Sequence, residues 1–141
     1  MNAVRLYTPQ VLAAAVSLAR FPLTDDLALR GEARSASCGS TLAIGLALDQ
    51  DGAVRRVGLA AQACAIGQAS AAIFAQGAAG RSGVQIATCG LAIRAWLKGE
   101  GTMPDWPGLD LIEPARAFPA RHGAILLAWD AAARALTEPA R

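Results

Sequence analysis

The sequence predicts an α+β domain in which helices pack against a small antiparallel three-stranded sheet. Three observations carry that expectation. The first apolar stretch repeats with the 3.6-residue period of a helix, the pattern changes to a period of two at Thr41, and helical periodicity returns after Cys64. The 141 residues suit one domain spanning 1–141, and a hydrophobic fraction of 54% with a net charge of only +2 excludes a disordered chain.

Thr8-Pro9 starts the first helix, a hydroxyl cap followed by a residue whose φ is already helical. Val11, Leu12, Ala15, Val16, Leu18 and Ala19 form its apolar stripe, and Pro22 ends it. Residues 27–35 read as the first strand. Leu42, Ile44, Leu46 and Leu48 alternate with small residues, as a strand with one buried face requires. Asp49-Gln50-Asp51-Gly52 is turn chemistry, and residues 54–61 return as the second arm of a hairpin. An alanine-rich helix begins at Cys64 and runs to about Ala79, ahead of Gly80. The next helix covers residues 84–98, with Ile86, Cys89, Ile93 and Trp96 on one face. Residues 99–119 hold four prolines and three glycines and read as a long surface connection with short turns. The last helix, over 121–136, buries Ile125, Leu126, Trp129, Ala132 and Leu136.

A mean hydropathy of +0.34 raises the membrane question, and residues 57–80 carry no charge over a length that would cross a bilayer. That stretch is mostly alanine and glycine and includes Gln62, Gln68, Ser70 and Gln76, whose polar groups would lack partners in lipid, so no span is expected. Arg5 is followed by Tyr7, Thr8 and Pro9 rather than a leucine-rich core, so no signal peptide is expected either, and the location implied is cytoplasmic. Charge this small and this dispersed gives no case for nucleic acid.

Three cysteines, Cys38, Cys64 and Cys89, are too few for a disulfide framework. Cys38 lies in a Ser37-Cys38-Gly39-Ser40 turn, where Gly39 lets the backbone approach a ligand. Cys64 stands at a helix N-terminus, where unpaired N–H groups favour a thiolate, the form that ligates metal or attacks sulfur. The two thiols either converge on one soft-metal site or are small buried residues. Cys89 falls on the core face of its helix and reads as a packed thiol. His122, the sole histidine, is either a surface or capping residue or a nitrogen ligand.

The run Ala36-Ser37-Cys38-Gly39-Ser40 before an alternating strand, then Gln62-Ala63-Cys64-Ala65-Ile66-Gly67-Gln68-Ala69-Ser70, resembles the U-type iron–sulfur cluster scaffold family. That family includes the IscU and SufU proteins and the N-terminal domain of NifU. The resemblance extends from Leu6-Tyr7 through Trp129, and the segment from Phe118 to Trp129 is similar to the SufU-like branch. It implies a SufU/IscU-like fold and a protein that accepts sulfur from a cysteine desulfurase, holds iron and sulfide, and passes them to recipient proteins. This is binding and transfer, not enzyme catalysis. The cofactor implied is an iron–sulfur cluster, of the two-iron type, or zinc. Cys38 and Cys64 match ligand positions, with Cys64 the expected sulfur acceptor because of its helix start. Gly39 and Ser40 support the first thiol, and Arg121 matches a basic position that would screen thiolate charge.

The chain departs from the family pattern at three places. Ser40 stands where the family has aspartate, Gly67 where it has serine, and Ala124 where it has a third cysteine. Four completions of the site follow: a nitrogen from His122; a homodimer pooling Cys38 and Cys64 of two protomers; a labile two-thiol site that carries sulfur without storing a cluster; or no metal at all, in an adaptor that works through protein contacts.

Overall fold

The computed structural model describes residues 6–137, so the ends of the expected 1–141 domain, residues 1–5 with Arg5 and residues 138–141, lie outside the described residues. Along the chain come α1 (Pro9–Ser17), a 3-10 turn (Leu18–Arg20), β1 (Leu29–Arg34), β2 (Thr41–Leu48), β3 (Val54–Gln62), α2 (Ala65–Ala78) and α3 (Gly83–Leu97). A 3-10 segment (Leu109–Ala117), a 3-10 turn (Pro119–Arg121) and α4 (His122–Thr137) complete it. The α+β class and the three-stranded antiparallel sheet are as the sequence predicts.

The sheet runs β1-β2-β3, and its two faces differ. Leu42, Ile44 and Leu46 point to the helices, opposite Ala61, Leu59 and Val57 of β3, and the three β2 side chains are buried. On the other face Gly45 lies opposite Gly58. Leu27 fills the space above them: a Cβ on Gly58 would sit 2.5 Å from both Leu27 Cδ1 and the Pro22 carbonyl. Leu27 is therefore a plug ahead of the sheet, and β1 begins at Leu29. In the hairpin turn the Asp49 carboxylate accepts from the N–H groups of Asp51 (2.9 Å) and Ala53 (3.0 Å), while Gly52 takes φ +83°.

Helix α4 lies across β1 and β2 and also packs on α2 and α3. It approaches β1 closely because Gly31 has no side chain, and a Cβ there would collide with the Ala131 carbonyl. Ser70 Oγ of α2 donates to the Ile125 carbonyl of α4 at 2.7 Å in the buried interior. Beyond it Phe74, Trp106 and Trp129 interlock, with ring centroids 5.2–5.6 Å apart.

Two expectations are corrected. The apolar stripe of α1 is only half used: Val11 and Ala15 are buried, whereas Leu12, Val16 and Ala19 face outward. This helix packs mainly on α2, through the row that holds Val11 and Ala15. Residues 99–119 are not simply a surface connection. Trp106, Leu109, Ile112 and Ala115 are buried, and Trp106 Nε1 donates to the Ile73 carbonyl at 2.9 Å. The spacing of Leu109, Ile112 and Ala115 is three, the period of the 3-10 helix they occupy, and Pro114 is accommodated within it.

Gly31→Ala is expected to destabilise the protein by about 2–3 kcal/mol in urea unfolding, because the overlap is with backbone that cannot rotate away. Gly52→Asn, at an open turn position with positive φ, is expected to cost less than about 1 kcal/mol.

Candidate thiol site

The register of the hairpin brings two distant segments together. Thr41 at the start of β2 pairs with Gln62 at the end of β3. Cys38 lies three residues before Thr41 and Cys64 two residues after Gln62, so both thiols leave the same end of the sheet. The first loop is closed by its own backbone. Ser35 N–H donates to the Ser40 carbonyl (2.8 Å), and Gly39 N–H donates to the Ser35 carbonyl (2.9 Å), with Gly39 at φ +72°. Cys38 is exposed at the apex of this turn.

Two buried hydroxyls flank the exposed sulfur. Cys38 Sγ is 3.3 Å from Ser35 Oγ, to which the neutral thiol donates, and 3.1 Å from Ser40 Oγ. Hydroxyl hydrogens rotate, so both serines can donate once the sulfur is an anion. The Ser35 hydroxyl, followed by the Ser40 hydroxyl and backbone N–H and, more weakly, the Arg121 guanidinium, holds the Cys38 thiol below its ordinary pKa. Ser35 was not singled out in the sequence. The signal available was the density of hydroxyls around one thiol: Ser35, Ser37 and Ser40 about Cys38.

Cys64 is the N-cap residue of α2, half-buried, with extended backbone (φ −65°, ψ 170°) and no capping hydrogen bond from its side chain. Gln68 performs the local closure, donating its side-chain N–H to the Ala63 carbonyl at 2.9 Å.

The start of α4 is the third wall. Ser37 Oγ donates to the Ala120 carbonyl at 3.2 Å, and Gly123 packs so tightly on the first loop that a side chain there would strike Ser35 Oγ. Ala124 is buried against the first turns of α2: its methyl would lie 3.3 Å from a Cβ at Gly67. Arg121 reaches Tyr7 Oη at 3.5 Å, and its Nε–H is buried without a partner. His122 donates from Nε2 to the Arg116 carbonyl at 2.8 Å, so that nitrogen closes the 3-10 segment and only Nδ1 is left as a lone-pair donor.

Cys89 stands apart. It is buried on α3 beside Trp129, a residue that lies about 7.5 Å along α4 from Ala124, and burial raises its pKa. Among the described residues no three histidine, cysteine, aspartate or glutamate side chains gather where they could hold a metal ion. With Ala124 packed on Gly67 and Ser40 engaged with Cys38, one protomer does not provide the four ligands that zinc or a two-iron cluster takes. Among the described residues no helix is long and apolar enough to cross a membrane.

Iodoacetamide near pH 7 is expected to modify Cys38 first and Cys89 last, read by peptide mass mapping. A lowered pKa puts more of Cys38 in the thiolate form at a given pH, so its rate should rise through a midpoint below that of an ordinary thiol.

No family model and no curated protein matches the sequence. Solved structures do. The chain is similar to the N-terminal part of a nitrogen-fixing NifU-like protein from Brucella abortus, with 29% identity and a TM-score of 0.82 over 91% of this chain and 90% of that one. It shares the fold of a protein assigned as an iron–sulfur cluster assembly scaffold for the SUF system of Fervidobacterium islandicum AW-1 (17% identity, TM-score 0.78, covering 96% and 100%). Over nine-tenths of both chains the protein thus resembles the NifU-like N-terminal structure, with its two thiol segments meeting at one end of the sheet.

Proposed function

We propose that the protein takes part in iron–sulfur cluster assembly as a carrier: sulfur and iron are received at Cys38 and Cys64 and handed on without enzymatic turnover. The observation that supports this most is the delivery of both thiols to one end of the sheet, around the start of α4. The partners in this reading are a cysteine desulfurase, as sulfur donor, and cluster-recipient proteins, in the cytoplasm. Iron bound by more than two thiolates requires a second protomer, because Ala124 and Ser40 supply no thiolate or carboxylate. The packing of Ala124 on Gly67 favours a second reading, a family member without a metal site that acts as an adaptor through protein contacts.

Anaerobic reconstitution with ferrous iron and sulfide separates the two. Thiolate-to-iron charge-transfer bands and stoichiometric metal are expected, lost in Cys64→Ser and in Cys38→Ser, with metal content following dimer content on size-exclusion chromatography. Absence of both bands and metal would sink the carrier of iron and leave the adaptor. Cys89→Ala is expected to keep binding and to cost about 1 kcal/mol of stability, since it removes only a buried sulfur from the core.

A further inference from the structure

We infer that sulfur enters this site without a metal ion, at Cys38, with Ser35 and Ser40 as positioning residues and Arg121 as the balancing charge. The inference rests on the reading that the chain handles sulfur, and it adds where the atom lands and what stabilises it there. It also departs from the expectation that Cys64 is the acceptor.

A metal ion at a thiol neutralises the sulfur and fixes it in place. Here both tasks fall to groups already present. Ser35 and Ser40 are buried and held by the backbone of the turn, while the sulfur between them is exposed, so rigid donors face an accessible nucleophile. The residue at 40 decides whether a cation is needed. A carboxylate there would put a second negative charge about 3 Å from the sulfur and require a positive ion to offset it. The hydroxyl that is present donates to the sulfur instead. The remaining place for a ligand, residue 124, is closed by a methyl group against Gly67. Arg121 follows Ala120, whose carbonyl accepts from Ser37 Oγ of the same loop, and so supplies a positive charge beside the turn.

The transfer balances without an oxidant. The Cys38 thiolate attacks the outer sulfur of a donor persulfide, R–S–SH. A new Sγ–S bond forms as the donor S–S bond breaks, and the electron pair of the broken bond leaves with R–S⁻. The proton stays on the transferred sulfur, so Cys38 becomes Cys–S–SH and the donor becomes a thiolate. Cys64, with no hydrogen bond holding its sulfur at the helix cap, is the second thiol, engaged once iron arrives.

The test uses the full chain, stripped of metal with a chelator and verified metal-free, incubated with glutathione persulfide. Intact mass and peptide mapping read the added sulfur. One sulfur atom on Cys38 is expected, at a rate that added zinc or ferrous iron does not raise. Ser35→Ala with Ser40→Ala should slow loading about fivefold or more, Ser40→Thr should keep it, and Ser40→Asp should slow it unless metal is supplied. If the double variant does not fold, Ser40→Ala against Ser40→Thr carries the comparison. Loading that depends on added metal, loading on Cys64 before Cys38, or equal rates for Ser40→Ala and Ser40→Thr would each overturn the inference while leaving a sulfur carrier standing. No loading with or without metal would overturn both.

Discussion

Helix α4 meets its neighbours where a side chain is absent. Gly31 of β1 lies under Ala131, Gly67 of α2 faces Ala124, Gly90 of α3 lies beside Trp129, and Gly123 of α4 itself presses on Ser35. Each missing Cβ lets two backbones come closer, and the dispersion attraction between them accumulates over the length of the helix. The geometry of the thiol site is a by-product of that docking. The 35–40 turn is held by Gly123 and Ala120, and the start of α2 is held by Ala124 and by the Ser70 hydrogen bond to Ile125. Both thiol-bearing segments are held through the hairpin and through this one helix end.

The same framework gives the three sulfurs three environments. At the apex of a turn Cys38 has water on one side and hydroxyls on the other, which favours its anion. A helix cap leaves the Cys64 side chain without a hydrogen bond of its own. The Cys89 sulfur is in the core, where burial disfavours charge. The three sulfurs thus differ in exposure and in the groups that donate to them, although all three belong to one small domain.

Much of the fold was legible in the sequence because its signals are local. The Thr8-Pro9 cap, the alternation in β2, the Asp49–Gly52 turn and the Cys64 helix start each depend on residues within a few positions of one another, and the structure places all four elements where those signals do. The misjudged parts depend on partners far along the chain. Leu27 has a strand-like character, yet its place is fixed by two glycines on other strands. The burial of Leu109, Ile112 and Ala115 follows from a period of three that prolines and glycines obscure, and from an anchor, Trp106, whose acceptor is on α2. Likewise Leu12 and Val16 are apolar without being core, because what lies beyond α1 cannot be inferred from α1. In the site, the two thiols could be named from their local context and Arg121 from the family resemblance, but the role of Ser35 and the engagement of His122 Nε2 with Arg116 required the turn and the 3-10 segment to be seen in place.

The central position of α4 has a consequence for how the molecule comes into being. This helix follows in the chain every element that it covers, so while the ribosome is still making it, the sheet has one apolar face open and the Phe74 ring has no Trp129 to meet. Pairings of such long sequence separation are slow to find, and a nascent chain at that stage exposes the surfaces through which chains aggregate. The thiol site cannot exist before α4 arrives, since two of its three walls lean on residues 120–124. A half-made chain thus carries both cysteines with neither held in place, and completion of the last helix assembles the thiol site and covers the apolar surface in one event.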